Sequence, residues 1–162
     1  MPGQVKKGLG NLVGNAGEYF VVAELLKRGK VAALAPRNTP AFDILAADGP
    51  KTVRIRVKTK SEEYNVWQWM AKEDGTIFRQ LVDSASDDFV VMVNLRSGPV
   101  HSDCFVVPTL VVNEWLTSGF DEWVAAPGLK GKPHDPSNRM RQIPYPKYQS
   151  QLEPYLEAWD TL

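Results

Sequence analysis

Read for the spacing of its apolar positions, the chain divides into stretches of different period. In "NLVGNAGEYFVVAELLKRGK", residues 11–30, Leu12, Val13, Ala16, Phe20, Ala23 and Leu26 recur near 3.6 residues, which predicts a helix. Lys27 and Arg28 ahead of Gly29 mark its C-terminal end. Gly14 and Gly17 inside it either weaken the helix or mark a close approach to a neighbour. "VAALAP" predicts a short strand closed by Pro36. "FDILAADGPKTVRIRVKTK" predicts a β-hairpin: a strand over 42–47, a turn at Asp48-Gly49-Pro50, and a strand over 52–60. "EYNVWQWM" reads as a further strand or a short aromatic segment. "DDFVVMVNL" and "DCFVVPTLVV" are nearly continuous apolar runs, as expected of central strands covered on both faces, and the second turns helical near Val111. Residues 126–148, rich in proline, glycine and polar side chains, read as a long loop. "SQLEPYLEAWDTL" reads as a closing helix with Leu152, Tyr155, Leu156 and Trp159 on one face and Pro154 in its first turn. The order of elements predicts one α/β domain over residues 11–162, a mixed β-sheet flanked by helices, after a flexible N-terminus over 1–10.

Composition narrows this picture a little. The 162 residues are 43% hydrophobic and 23% charged, an ordinary globular balance. Nineteen basic and nineteen acidic residues cancel, so any nucleic-acid surface must be a local patch. The single cysteine, Cys104, excludes an intrachain disulfide, and its neighbours "DCFVVP" place it in a core strand. The N-terminus "MPGQVKKGLG" is polar and lacks the apolar stretch of a leader, and no run nears the roughly 20 apolar residues that span a bilayer. A soluble, cytoplasmic protein with no membrane partner is the expectation.

The candidate chemistry lies in the hairpin. In "VRIRVKTK", Val53, Ile55 and Val57 face one way and Arg54, Arg56, Lys58 and Lys60 the other. On the preceding strand Phe42 and Ile44 share a face, so Asp43 points opposite, where a hairpin brings it beside Arg56 and Lys58. Glu18 on the first helix could close the group from above. A carboxylate near a lysine at a strand end suits metal-assisted phosphodiester hydrolysis. The carboxylate holds Mg²⁺, the metal polarises the phosphate and acidifies a water, and the lysine orients that water or stabilises the developing charge.

These residues carry a resemblance. "GNAGEYFVVAELLKRGKVAALAP", "NTPAFDILA" and "VRIRVKTK" together resemble the PD-(D/E)xK nuclease superfamily, and most of all bacterial members related to Holliday-junction resolvases. The later apolar strand pair ending in "FVVP" and the closing "EAWDTL" fit the same pattern, so the resemblance covers most of the chain. It implies a restriction-endonuclease-like core and endonuclease activity on DNA. It implies Mg²⁺ or Mn²⁺ as cofactor and, since resolvases are dimers, a possible homodimer. Residue by residue, Glu18 matches the helix glutamate, Asp43 the motif aspartate, Lys58 the motif lysine and Thr59 the residue after it. Arg56 departs from the pattern, because family members carry Glu or Gln there. Arginine has donors and no acceptor, so it cannot ligate a cation, and it would repel one while pairing with Asp43 or Glu18. Folded over those acids, Arg56 would seal the site and leave it without a cofactor. Turned outward, it would leave room for an ion and contact the scissile or a neighbouring phosphate.

Other readings stand beside this one. Glu18 also suits a first-turn acid favoured by the helix dipole. The basic face Arg54/Arg56/Lys58/Lys60 also suits the defence of an edge strand against aggregation. In "GLKGKPHDPSNRMRQIPYPKYQ", Lys130, Lys132, Arg139, Arg141 and Lys147 face a single acid, Asp135. That segment either grips phosphates, with Tyr145 and Tyr148 stacking on unpaired bases, or is a solvated loop pinned by its tyrosines and prolines. Three functions therefore compete: a metal-dependent endonuclease, an inactive nuclease fold that binds nucleic acid, and a structural or partner-binding protein.

Overall fold

The computed structural model describes residues 9–79 and 87–162, so the start of the expected flexible terminus lies outside the described residues. Helix α1 spans Gly10–Lys27 and ends at Gly29, whose positive φ of 77° suits a residue without Cβ. It buries Gly17, Val21, Glu24 and Leu25. The periodicity above picked out a different face, and Leu12, Ala16, Ala23 and Leu26 are exposed. The helix is apolar on two opposite sides, so period alone cannot say which one meets the sheet. Gly17 decides it, because a Cβ there would lie 1.8 Å from Thr59 Oγ1. Only a glycine lets the helix axis come this close to the strand beneath it.

That strand belongs to a five-stranded sheet. Its members are β1 (Val31–Leu34), β2 (Ile44–Asp48), β3 (Lys51–Ser61), β5 (Asp88–Leu95) and β6 (Asp103–Pro108), in the order β1-β2-β3-β5-β6. β3 pairs parallel with β5 and the other neighbours pair antiparallel, giving the expected mixed sheet. The hairpin forms as read, but β2 begins at Ile44, so Asp43 sits just ahead of the strand rather than inside it. β2 covers only Lys51–Ile55 of β3, and the half of β3 that carries Arg56 and Lys58 has a strand partner, β5, on one side only. β3 is nonetheless central in the sheet order, so the edge-defence reading fails for Arg54, which has strand partners on both flanks, and is left only for the flank that is open beyond Ile55.

Each side of the sheet has its own apolar layer. On one side Val53 and Ile55 of β3 join Val21 and Leu25 of α1, Val91 and Val93 of β5, Cys104, and the C-terminal Trp159 and Leu162. On the other side lies a two-stranded antiparallel sheet of β4 (Val66–Met70) and β7 (Met140–Pro144), with helices α2 (Thr109–Ala125) and α3 (Tyr145–Leu152). Trp67, Ile143, Leu116 and Leu152 bury there against Val90, Met92, Phe105 and Val107 of the main sheet. Residues 126–148 are thus not one long loop: they contain β7 and the start of α3. The expected closing helix also moves. α3 ends at Leu152, Pro154 falls in a 3-10 turn, and Leu152 and Trp159 enter opposite layers instead of sharing a face. Helix α2 starts at Thr109, directly after Pro108, slightly before the expected Val111. Among the described residues no helix is long and apolar enough to cross a membrane.

Candidate active site

The close approach of α1 to β3 brings Glu18 to the open half of that strand. Glu18 lies well inside α1, whose first turn has no acidic residue, so it is not a dipole-favoured first-turn acid. Asp43 is fixed through its backbone: its N–H donates to Ile55 O (2.9 Å) and its carbonyl accepts from Ala35 N–H (2.8 Å). Its carboxylate Oδ2 accepts the Val57 N–H at 2.8 Å, a group that β2 is too short to pair. Asp43 therefore stands where the next residue of a longer β2 would bond, with its side chain beside Arg56, Val57 and Lys58.

Two clefts meet at Asp43. One, about 330 Å³, is lined by Asn11, Asn15, Glu18, Tyr19, the 34–39 segment, Phe42 and Asp43. The other, about 590 Å³, runs past Asp43, Arg56 and Lys58 to Trp69, Phe78, Arg79 and Arg139. Among the described residues neither Glu18 nor Asp43 forms an ion pair. Burial pushes the Glu18 carboxyl above the usual range, and the Asp43 charge pushes it further, against Arg37. Burial raises Asp43 as well, opposed by the Val57 N–H, Arg56 and Lys58. Lys58 moves the other way: burial lowers it, with Asp43 partly restoring it. Its ammonium sits 5.4 Å from the Trp69 ring centre and pairs with no carboxylate among the described residues.

Arg56 points away from this pair. Its guanidinium binds Asp88 at the start of β5 and donates to Arg79 O at 3.0 Å, over the ring of Phe78. Arg54 reaches the same Asp88 at 2.9 Å, and Thr109 Oγ1 donates to it at 2.6 Å. The Asp88 side chain is 1% exposed and that of Arg56 12% exposed, so this is a buried carboxylate shared by two arginines. Asp88 was not singled out from the sequence. Its only signal there is a second acid in "DDF" immediately before an apolar strand, and its arginines lie on another strand. Thr109 gave no signal.

The remaining cations divide by burial. Lys60 is 6% exposed. It donates to Asn94 at 2.6 Å and faces the rings of Trp67 and Tyr145, and burial draws it down to about 8. Arg141 is 8% exposed, bound to Asn138 O and stacked on Phe120 at 3.4 Å. Both were expected on a nucleic-acid surface, and burial against aromatic rings takes them off it. Arg54 is committed to Asp88, and Lys147 pairs with Glu122 at 2.6 Å. Lys130 and Lys132 are exposed at a turn outside both clefts. Only Arg139 of that segment reaches the Lys58 cleft, held there by a bond to Ala71 O at 2.7 Å. Tyr148 donates to Trp115 O and Tyr145 packs on Trp67 and Phe105, so both tyrosines pin the fold rather than offer free rings.

The donor set fits a hard divalent cation. Two carboxylates whose ionised forms are disfavoured by burial, one of them also by the other's charge, gain from a cation between them. Among the described residues no guanidinium forms an ion pair with either, although Arg37 lines the same cleft, and oxygen-only donors suit Mg²⁺ or Mn²⁺ rather than a soft metal.

No family model matches the chain, and no curated protein matches it. Solved structures do. A bacterial homing endonuclease aligns with a TM-score of 0.54 at 16% identity, covering 93% of this chain and 90% of that one. A Holliday junction resolvase from the archaeal hyperthermophile Archaeoglobus fulgidus aligns with a TM-score of 0.47 at 18% identity, covering 85% and 88%. The chain has a restriction-endonuclease-like fold, as its mixed sheet with flanking helices indicates.

Proposed function

We propose that this protein is a metal-dependent DNA endonuclease in which Glu18 and Asp43 hold Mg²⁺ or Mn²⁺ and Lys58 assists the attacking water. The observation that carries this reading is the position of Arg56: bound to Asp88, it leaves the Glu18/Asp43 pair without a cationic partner. A cation held there supplies Lewis-acid activation of the phosphodiester and of a bound water. Asp43 is oriented for its role by the Val57 N–H, and Glu18 supplies the second carboxylate that β3 lacks. Lys58, desolvated and drawn below its ordinary value, is suited to orient the water or to stabilise charge on the phosphorus in the transition state. Arg139 and Arg79 on the cleft wall suit neighbouring phosphates, which makes affinity salt-dependent.

The test is cleavage of linear, branched and single-stranded DNA with Mg²⁺ or Mn²⁺, alongside Asp43→Asn and Lys58→Met. Cation-dependent cutting lost in both variants supports the reading. Absence of cutting together with a melting temperature indifferent to either metal refutes it. The second reading, an inactive nuclease fold that binds nucleic acid, draws on the missing acceptor at Arg56. It predicts binding that needs no metal, falls steeply with salt, and is unaffected by Asp43→Asn.

A further inference from the structure

Arg56, Lys58 and Lys60 stand on one face of β3, and each lies over an aromatic ring. The Arg56 guanidinium sits 5.3 Å from the ring centre of Phe78, the Lys58 ammonium 5.4 Å from that of Trp69, and the Lys60 ammonium 4.9 Å from that of Trp67. All three fall within the roughly 6 Å over which a ring face attracts a cation. The second partner of each cation differs. Arg56 is bound to Asp88. Lys60 stands opposite Asn94 of β5 and donates to its side chain at 2.6 Å. Lys58 stands opposite Met92, a buried residue whose thioether is only a weak acceptor. Among the described residues Lys58 forms no ion pair. Its neighbour strand therefore gives the ammonium no anchor, and the Trp69 ring is the contact that locates it.

Trp69 is itself fixed. It lies two residues from the buried Trp67 on β4, so the two rings share the side that faces the main sheet. It pairs with Arg141 across to β7, and its ring meets Phe78 edge-on with centres 6.4 Å apart. The same lysine–tryptophan pair is thus built twice. Lys60 over Trp67 is closed, and the Trp67 Nε1–H is spent on Val93 O at 3.1 Å. Lys58 over Trp69 is open, with both residues on the wall of the cleft that holds Asp43. A lysine on its flexible four-carbon stem would otherwise spread its charge over that cleft. Charge stabilises a transition state most when it is already in place.

We propose that Trp69 is the positioning residue of Lys58, its ring face holding the ammonium in the Asp43 cleft with the N–H groups left for the phosphate or the attacking water. The inference rests on the role proposed above for Lys58 and adds the group that places it. Trp69 acts through Lys58 and not on the reacting atoms.

Trp69→Leu, Trp69→Phe and Lys58→Met, alone and combined, test it. Nuclear magnetic resonance of the metal-free protein with labelled lysine reads the placement directly. The ring current should move the Lys58 ε-methylene protons upfield in wild type, less in Trp69→Phe and not at all in Trp69→Leu, while those of Lys60 stay shifted by Trp67. In cleavage assays Trp69→Leu should lower kcat by about tenfold or more with KM little changed. Trp69→Phe should restore most of that loss, and adding Trp69→Leu to Lys58→Met should cost nothing further. Lys58 protons without a ring shift in wild type overturn the inference, whatever the protein cleaves. Losses that multiply in the double variant overturn it too, because Trp69 would then act on the DNA itself. If the ring shifts behave as described and no DNA is cut, the endonuclease reading fails while the placement of Lys58 by Trp69 stands.

Discussion

The basic face of β3 behaves differently at its two ends. Arg54 and Arg56 converge on Asp88, a buried acid that Thr109 also serves, and both guanidiniums are held in place by that one carboxylate. Lys58, two residues further on, has no carboxylate within pairing distance among the described residues and shares its cleft with an acid that burial holds toward the protonated form. The same alternation of apolar and cationic residues thus builds a closed cluster at one end and an open one at the other. What separates them is the strand on each flank. β5 contributes Asp88 opposite Arg54, whereas pairing with β2 reaches no further than Ile55 and leaves Asp43 to pair the Val57 N–H. The closed cluster also serves the open one, because Asp88 holds the guanidinium that would otherwise neutralise Asp43.

Breaking the closed cluster should have the largest effect. Asp88→Ala leaves two half-buried arginines without their acid, and unfolding in urea should show a loss of about 2–4 kcal/mol. In whatever fraction remains folded, Arg56 is free to turn to Asp43, so cation-dependent stabilisation should fall as well. Gly17→Ala comes next. Its Cβ would meet the Thr59 side chain, and the helix must shift away from β3. About 1–3 kcal/mol is expected from the overpacking. Cation binding should fall too, since Glu18 moves with the helix.

The open cluster should respond in the opposite sense. Glu18 and Asp43 both titrate above their unfolded values. Above those raised values the two ionised groups carry a cost. As pH falls through them, the native state takes up protons before the unfolded chain does, and the cost is relieved, fully so below the unfolded values at about pH 4. Metal-free wild type should therefore gain stability from this pair on mild acidification, and a Glu18→Gln/Asp43→Asn double variant should lack that gain. Thermal melts from neutral pH downward, compared between the two, check the sign. The smallest stability change belongs to Lys58→Met, which replaces a desolvated ammonium with an apolar side chain over Trp69. Its melt should hold or rise slightly while cleavage falls by about a hundredfold or more.

Much of this contrast was readable in the sequence because it rests on local alternation. The hairpin, the two apolar strands and the shared face of Asp43 and Lys58 follow from periods of two and 3.6 over short windows, while the oddity of Arg56 shows only against the nuclease pattern that the chain resembles. What was hidden depends on pairs distant in the chain. β7 carries Pro144 and polar residues and becomes a strand only through β4, more than a loop's length away. Lys60 reads as a surface cation until Trp67, Asn94 and Tyr145 close around it. Helix α1 was placed correctly but on the wrong face, since an apolar ring of residues gives no direction and only the contact of Gly17 with Thr59 supplies one. Asp88 illustrates the same limit: its meaning lies in two arginines of a strand that pairs with its own only after folding.

The central claim is that Arg56 is held on Asp88 and the acidic pair stands open to a cation. Titration of Mn²⁺ into the protein, followed by electron paramagnetic resonance, tests it in wild type, Asp43→Asn and Arg56→Gln. The account predicts a bound Mn²⁺ in wild type, lost in Asp43→Asn and little changed in Arg56→Gln. Wild type that binds none, beside an Arg56→Gln variant that does, would contradict it, because the guanidinium would then be the seal on the site.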